Sequence, residues 1–582
     1  MTRRATALLA AAAAASLGAP AAQAAPPNPF GHACLPQDGV LFCPTASDPE
    51  RVASFDGVPL DVDVTLPPTG DGPFPTIVMM HGYGGDKSGF ESDSPVGTYN
   101  NVFFASQGIA VVNYSARGFG RSCGVPDSRT SPQCDRGWLH LADHRYEARD
   151  TQHLLGLLVD QGVTSPAAIG VTGVSYGGIQ TLNLARLRNR VRLEDGSFVP
   201  WTSPNGTPLS ITAGYARWAA SDLTYALQPN GRFLDFRTPR RNDAIRPGGV
   251  MKKSYNDVLY ASGNASGFYA PQGGPFGSDI TTWKALADRG EPTTPETLAV
   301  GRELTGFHSW MGLSGPSAAL LVQNGWTDDL FPAPEALRVY RTFQAAPGAR
   351  VALQLGDLGH PRGTNDDGPD GEMLNQAVRF FEHYLKRQGR APRHGSVLAF
   401  TQTCSPSARA SARFAAENWE RLHPLTVTMR RRAAQRINSR AGNPATAAAI
   451  DPIGSRGACA NVRAERVRGT AIVERRFRRE FTMLGMPTLQ ASIRTRGRGG
   501  LVAARLWDVH RGRQTLVSRG VYRLRDNQRG DILFQLFGNG WRFAKGHTAK
   551  LELLGRDPKF LRTSNVRFSV RIAKLRLDLP GR

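Results

Sequence analysis

The sequence has few of the features that mark a metalloprotein or a membrane protein. Its 6 cysteines and 12 histidines form no C-x-x-C pair and no close cluster, the spacing on which zinc sites depend. Beyond its first 24 residues it contains no run of about 18 apolar residues, which a membrane-spanning helix requires. No cofactor pattern and no solenoid repeat is present. We therefore expect no metal, no cofactor and no transmembrane segment.

The first 24 residues instead have the pattern of an export signal peptide. Arg3 and Arg4 precede an Ala/Leu-rich stretch, and Ala22-Gln-Ala24 is a small-residue cleavage site, so the mature chain would begin near Ala25. The arginine pair leaves both the twin-arginine and the general secretory route open. A secreted, extracytoplasmic protein can keep disulfides. Proximity along the chain favours Cys34–Cys43 and Cys123–Cys134, which leaves Cys404 to pair with Cys459.

Positive charge is concentrated in the last third of the chain. Residues 401–582 contain 37 Lys and Arg against 12 Asp and Glu, whereas the whole chain has 71 against 48. Two regions with different surfaces are indicated. One interpretation is adsorption to an anionic cell-envelope polymer. The other is arginine on the solvent faces of strands, where charge also protects sheet edges. Nucleic acid is not expected, because no recognition motif accompanies the charge.

Short apolar runs alternate with helical patterns in the first two thirds of the chain. Residues 76–80, 167–172 and 351–355 are typical of strands that are buried on both faces. The alternation predicts a mostly parallel α/β sheet in a catalytic domain over residues 25–395. Residues 228–312 interrupt this rhythm and have the position of a cap inserted over the site. A surface excursion without a substrate role is the alternative for this segment.

From about residue 396 the pattern changes to short strands with one buried face. Leu489, Ala491 and Ile493, for example, alternate with polar neighbours. This pattern predicts an all-β sandwich or jelly roll over residues 396–582.

The G-x-S-x-G pattern of a nucleophile elbow occurs twice, around Ser122 and around Ser175. The elbow requires a buried strand before the serine and a helix after it. Apolar residues 167–172 precede Ser175 and a proline-free helical pattern follows it, whereas Ser122 leads into a loop with two prolines. Ser175 is therefore the predicted nucleophile.

The chain order Ser, Asp, His of α/β-hydrolases locates the other two catalytic residues. Asp328 and His360 each follow a predicted strand of the sheet. Asp328 is preferred to Asp329 because its spacing from the preceding glycine fits the usual acid turn. His383 lies in an amphipathic helical pattern and is interpreted as structural, and His308 precedes the acid in the chain.

Two hydrogen-bond donors are expected for the oxyanion that such a reaction forms. One is the backbone N–H of Tyr176, directly after the nucleophile, and the other comes from Tyr83 in the glycine-rich loop after residues 76–80. A plain turn is the alternative for that loop.

These motifs resemble the X-Pro dipeptidyl-peptidase and cocaine-esterase family of serine hydrolases. The resemblance is carried by Gly173-Val-Ser-Tyr-Gly-Gly178, Gly325-Trp-Thr-Asp328, residues 117–124 and Tyr83, and it continues to the end of the chain. It implies an α/β-hydrolase domain followed by a galactose-binding-like jelly roll, and a Tyr83 phenol that donates to the oxyanion. The Gly-Asp-Leu-Gly-His360 loop departs from the family pattern, so the resemblance implies hydrolysis without naming a substrate.

Two further residues are candidates for the substrate pocket. X-Pro peptidase action needs a carboxylate for the substrate α-amine, because a buried ammonium group is costly when unpaired. Asp222 is the candidate, with a role at a helix N-terminus as its alternative. Trp218 is a candidate apolar wall, with core packing as its alternative.

The sequence as a whole predicts a secreted serine hydrolase. Its substrate would be a small ester, amide or peptide, with X-Pro dipeptidyl bonds among the candidates. The alternative is a catalytically silent envelope-binding protein that uses the basic C-terminal domain.

Overall fold

The computed structural model describes residues 28–91, 99–237, 240, 243–365, 367–404, 411–454 and 459–582. The expected signal peptide and its cleavage site near Ala24 lie outside these residues. None of the helices within the described ranges combines the length and the apolar character that a membrane-spanning helix needs.

Strands and helices are numbered here in chain order over the described residues. The strands are β1 (Leu35–Gln37), β2 (Val40–Cys43), β3 (Val52–Ala53), β4 (Pro59–Leu60), β5 (Val62–Leu66), β6 (Phe74–Met80), β7 (Ala110–Tyr114), β8 (Thr164–Val174), β9 (Arg190–Arg192), β10 (Phe198–Pro200), β11 (Ile211–Arg217), β12 (Ala319–Gly325), β13 (Val351–Gly356), β14 (Val397–Phe400), β15 (Arg413–Ala416), β16 (Leu425–Arg431), β17 (Gln435–Asn438), β18 (Asn461–Arg463), β19 (Ala471–Arg476), β20 (Phe481–Gly485), β21 (Thr488–Arg496), β22 (Leu501–His510), β23 (Arg513–Arg523), β24 (Arg529–Gln535), β25 (Asn539–Phe543), β26 (Thr548–Leu554) and β27 (Ser569–Gly581). The α-helices are α1 (Asn101–Ser106), α2 (Glu147–Asp160), α3 (Tyr176–Leu187), α4 (Leu223–Leu227), α5 (Lys253–Ser266), α6 (Ile280–Arg289), α7 (Pro295–Phe307), α8 (Pro334–Gln344), α9 (Asp367–Lys386), α10 (Trp419–Leu422) and α11 (Pro444–Ala449).

The first sheet contains eleven of these strands, in the order β1-β2-β5-β7-β6-β8-β11-β12-β13-β14-β15. The strands from β7 to β14 in this order run parallel to one another, as the alternation of strands and helices predicts. Val78 and Met80 of β6 belong to one apolar core, and Ile77 and Met79 belong to the core on the opposite face. The uninterrupted apolar run of β6 is therefore explained by burial on both faces.

The carboxyl ends of β6, β8, β12 and β13 lie along one edge of this sheet, because the four strands are parallel. Ligands of open α/β sheets bind at such an edge. Between β11 and β12 the chain leaves the sheet and forms α4, α5, α6 and α7. This helical segment occupies the position expected of the cap.

The C-terminal part consists of two further sheets. One contains β24-β21-β27-β20-β25, with β16 and β17 also paired to β27, and the other contains β18-β23-β22-β26-β19. Apolar residues of both sheets, such as Leu489, Val570, Val502 and Leu551, share one core. The result is a β domain of two stacked sheets, and its jelly-roll topology stays a prediction.

The first sheet extends beyond residue 395, where the catalytic domain was expected to end. β14 continues the parallel order on β13, and β15 pairs antiparallel with β14 at the edge. The three disulfides of the described residues join Cys34 to Cys43, Cys123 to Cys134 and Cys404 to Cys459, which are the three predicted pairs.

Candidate active site

Ser175 lies at a sharp turn between β8 and α3. Its backbone has φ 57° and ψ −110°, a conformation that non-glycine residues rarely adopt and that costs of order 1–3 kcal/mol. The surrounding glycines allow this turn to pack tightly: a Cβ atom at Gly177 would overlap the carbonyl oxygen of Met80 in β6, and one at Gly178 would overlap that of Arg217 in β11. The glycines of this motif are therefore imposed by close approach of the turn to both neighbouring strands.

The second G-x-S-x-G match has a different environment. Ser122 is fully buried, its hydroxyl donates a hydrogen bond of 2.6 Å to the carbonyl of Ser115, and it accepts one of 2.9 Å from the N–H of Asp61. The adjacent Cys123 is held by its disulfide to Cys134. The Ser122 hydroxyl thus serves the packing of a loop.

The structure brings Ser175, His360 and Asp328 together in one line. The Oγ atom of Ser175 lies 2.8 Å from Nε2 of His360, and Nδ1 of His360 lies 2.7 Å from Oδ2 of Asp328. The other carboxylate oxygen of Asp328 accepts hydrogen bonds from the N–H groups of Leu330 and Phe331, at 3.0 and 2.9 Å. Such bonds fix the carboxylate so that it can hold the imidazole in one orientation. The catalytic roles of the three residues stay predictions.

Asp329, the alternative acid, faces away from His360. Its carboxylate pairs with Nε of Arg362 at 2.7 Å and with Nε of Arg519, in strand β23, at 3.4 Å. All three side chains are buried. The loop that carries Asp328 is thereby tied both to the histidine loop and to the C-terminal β domain.

The helical segment between β11 and β12 holds the same acid loop from a third side. Nζ of Lys252 donates a 2.8 Å hydrogen bond to the carbonyl of Leu330. Burial lowers the pKa of Lys252 to about 7, although the neighbouring carboxylates of Glu335, Asp329 and Asp328 oppose this shift. A buried amine in this position stabilises the loop through its hydrogen bond.

The two predicted oxyanion donors lie beside Ser175. Tyr176 provides the first amide of α3, which has no acceptor within the helix, whereas its phenol is turned away and donates to Glu147 at 2.9 Å. Tyr83 lines the same cavity as Ser175, with its ring packed edge-on against Phe119 and Tyr176. Burial raises the pKa of Tyr83 well above its usual value, so its hydroxyl remains a proton donor.

The hydroxyl of Tyr83 has a partner that the sequence did not indicate. It lies 2.9 Å from the hydroxyl of Tyr269, which itself donates to the carbonyl of Tyr260 at 3.1 Å. Because the hydrogen of Tyr269 is used in that bond, Tyr83 is the donor between the two phenols. Gly263 makes room for this contact, since a Cβ atom there would overlap both hydroxyl oxygens. No local pattern reveals this pair, since its members are 186 residues apart.

A cavity of about 120 Å³ opens beside Ser175. Helices α5, α6 and α7 supply much of its wall, including Leu259, Ile280, Trp283, Val300 and Leu304. Among the described residues that line the cavity, Lys284 is the one with a charged side chain. The described wall is thus mainly apolar and contains no carboxylate.

Neither of the two predicted pocket residues lines this cavity. Asp222 is fully buried at the N-terminus of α4, where it accepts hydrogen bonds from the N–H of Tyr225 and the hydroxyl of Thr305, at 3.0 and 3.1 Å. The structure therefore gives Asp222 the helix-capping position that was its alternative. Trp218 is half-buried, with its ring 6.2 Å from that of His360, and it packs against the core at Leu358.

His308 and His383 are also outside the line of three residues. His308 is buried behind the helical segment, 3.5 Å from Asp143 and 3.6 Å from Glu303. Arg145 donates to both of these carboxylates, so the cluster already contains a cation. His383 lies in α9 and contacts the carbonyl of Gly389 at 3.1 Å.

Residues 56–191, which include Tyr83 and Ser175, match the profile of the X-Pro dipeptidyl-peptidase (S15) family. The family resemblance predicted from the sequence is thereby confirmed. The protein is a serine hydrolase. No curated protein sequence matches the chain.

Solved structures share the fold of this hydrolase over nearly its whole length. A CocE/NonD family hydrolase from Staphylococcus aureus has a TM-score of 0.57 at 14% identity, with coverage of 93% of this chain and 94% of the other. An aminopeptidase from a marine sediment Thaumarchaeota archaeon has a TM-score of 0.57 at 15% identity, with coverage of 94% of this chain and 98% of the other. An α-amino acid ester hydrolase has a TM-score of 0.54 at 13% identity, with coverage of 97% of this chain and 100% of the other. At these identities the likeness shows a common fold.

The close packing of the elbow predicts that a single added methyl group lowers the stability of the protein substantially. We expect Gly177→Ala to lower the free energy of unfolding of the hydrolase by about 3 kcal/mol, because the added Cβ atom meets backbone that cannot move aside. Urea denaturation followed by tryptophan fluorescence measures this. The matched control is Gly371→Ala in α9, where a Cβ atom meets nothing within 4 Å. An equal, small effect of both substitutions would contradict the packing argument.

Proposed function

We propose that this hydrolase cleaves esters of large apolar acyl groups through an acyl-enzyme on Ser175. The observation that carries the proposal is the hydrogen-bonded line Ser175–His360–Asp328, whose serine lines a mainly apolar cavity. A serine hydroxyl is a weak nucleophile unless an adjacent base removes its proton. The 2.8 Å contact to Nε2 of His360 supplies that base.

The reaction proceeds in two halves. Oγ of Ser175 attacks the ester carbonyl while Nε2 of His360 takes its proton, and the resulting imidazolium is stabilised by Asp328. When the tetrahedral intermediate collapses, His360 returns the proton to the departing alcohol and the acyl group remains on Ser175. A water molecule, deprotonated by His360, then attacks the acyl-enzyme and releases the acid, with the proton returned to Ser175.

The oxyanion of each tetrahedral intermediate is stabilised by the N–H of Tyr176 and the phenol of Tyr83. In the resting site the Tyr83 hydroxyl donates to Tyr269, as the bond from Tyr269 to Tyr260 requires. During the reaction the same hydrogen turns from Tyr269 to the oxyanion. Tyr269 is thus a positioning residue that keeps the phenol of Tyr83 over the cavity until charge develops.

The composition of the cavity supports esters over X-Pro dipeptides. A peptidase that releases dipeptides must hold a free α-amine, and an unpaired buried ammonium group is costly. The described cavity wall contains Lys284 but no carboxylate, and Asp222 is occupied by its helix cap. Nζ of Lys284 is already paired with Asp288 at 2.6 Å and with Asp257 at 3.0 Å, so this region offers no free carboxylate to an ammonium group. An apolar acyl chain, by contrast, is stabilised by every methylene that it buries.

We also propose that the protein acts outside the cytoplasm, at an anionic cell envelope. Three disulfides agree with an oxidising compartment, and the signal-peptide pattern of the first 24 residues accounts for export. Residues 401–582 have 37 basic against 12 acidic side chains, which favours adsorption to an acidic polymer. The same adsorption would be the main function if Ser175 proved unreactive.

The assignment of the nucleophile predicts opposite effects for the two motif serines. We expect Ser175→Ala to lower kcat/KM for a nitrophenyl ester by at least ~10⁴-fold, because no other group can form the acyl-enzyme. Ser122→Ala removes two buried hydrogen bonds, so it should lower stability by about 1–3 kcal/mol and keep most of the turnover. Retained activity in the Ser175 variant, with folding verified by circular dichroism, would rule out the assignment.

The apolar cavity predicts a preference for long acyl chains. From nitrophenyl acetate to octanoate, kcat/KM should rise with each added methylene, by up to about fourfold per group, and Ala-Pro-anilide should be a poor substrate. Ile280→Asn, in the cavity wall, should narrow the ratio of octanoate to acetate turnover. Val258→Asn, on the exposed face of α5, is the control that should leave this ratio unchanged. Faster cleavage of the anilide than of octanoate would contradict the proposal.

A further inference from the structure

Four arginines form a single row across the outer face of the seven-stranded sheet. Arg436 of β17 is the register partner of Arg571 of β27, Arg571 is the partner of Arg494 of β21, and Arg494 is the partner of Arg529 of β24. Register partners point to the same face of a sheet. The four side chains, named here the arginine row, therefore emerge side by side at strand spacings of about 4.8 Å.

The arginine row has no internal counter-charge. All four side chains are exposed, and no carboxylate of the described chain forms a salt bridge with any of them. Asp531, in the neighbouring row, accepts a hydrogen bond from the hydroxyl of Ser492 instead. Arg496, two residues beyond Arg494 on the same face, is likewise exposed and adds positive charge.

Protection of a sheet edge does not explain this arrangement. Like charges placed directly opposite one another destabilise a sheet, and charged side chains are tolerated at edges because they block pairing with another chain. β21 and β27, however, have hydrogen-bonded strands on both sides. Arg494 and Arg571 therefore protect no edge. A ligand with regularly spaced negative charges would remove the repulsion along the row.

We infer that the arginine row binds a linear acidic polysaccharide. The row on one side presents the amide of Asn438 and the hydroxyl of Ser569, which can exchange hydrogen bonds with sugar hydroxyl groups. In the row on the other side, the hydroxyl of Ser492 is used by Asp531. These three rows contain no aromatic side chain, so they lack the stacking platform on which single-stranded nucleic acid binds. Guanidinium groups are suited to carboxylate and sulfate, because their planar fork can form paired hydrogen bonds.

This inference rests on the envelope adsorption proposed above and is independent of the hydrolase chemistry. It replaces attraction by the total charge of the domain with one defined surface. Charge spread over the domain would make all exposed arginines equivalent. If the arginine row is the binding surface, its four arginines contribute more to binding than other exposed arginines do.

The experiment compares two variants of the full chain with the same change in net charge. One carries Gln at Arg436, Arg494, Arg529 and Arg571, and the control carries Gln at four exposed arginines that have no place in the row. The control positions are Arg463, Arg468, Arg478 and Arg479. Fluorescence anisotropy measures binding of labelled oligogalacturonate, with neutral dextran and single-stranded oligothymidylate as comparison probes. Circular dichroism verifies that both variants are folded.

We expect the row variant to bind oligogalacturonate roughly tenfold more weakly than the unsubstituted protein, and the control to differ by about twofold or less. Added salt should weaken binding, because exposed charges are screened. Equal losses of affinity in the two variants would refute a specific role of the arginine row but would leave the proposed adsorption standing. Equal binding of oligothymidylate, lost in the same variant, would overturn the assignment to polysaccharide. Absence of any binding would refute the adsorption itself.

Discussion

The strained turn at Ser175 is the constraint on which the site depends. A serine with a positive φ persists only where its surroundings over-determine it, and here β6 and β11 approach so closely that Gly177 and Gly178 have no room for a side chain. The same contact places the hydroxyl above the carboxyl edge of the sheet. Because β12 and β13 end at that edge, their loops bring Asp328 and His360 to the serine. The parallel sheet and the tight elbow thus create the line of three residues together.

Buried charged and polar side chains hold the acid loop in place. Asp329 is bound by Arg362 of the histidine loop and Arg519 of β23, and Lys252 binds the carbonyl of Leu330 from the helical segment. Buried charges are costly unless they are paired, so these contacts favour one arrangement of the three parts of the chain. The C-terminal β domain therefore contributes to the geometry of the site as well as providing an exposed basic face.

Strong local patterns made much of the fold predictable. The apolar run of β6 and the flanks of Ser175 were sufficient to place a buried strand and to separate the elbow from the loop at Ser122. Long-range contacts that no motif marks could not be predicted, because they depend on how whole elements pack. Tyr83 meets Tyr269 because the helical segment packs over the sheet, and nothing in the sequence separates the buried Arg519 from the many exposed arginines around it. Asp222 shows the same limit, since its carboxylate is used by its own helix.

The most direct test of the account is the identification of the serine that becomes acylated. The folded protein would be mixed with a fluorophosphonate, or with an octanoyl ester under acid quench, digested, and its peptides mapped by mass spectrometry. The account predicts a stoichiometric adduct on the peptide that contains Ser175, and none on the peptide that contains Ser122. An adduct on Ser122, or no adduct on protein shown to be folded, would contradict the central claim that the strained elbow carries the nucleophile.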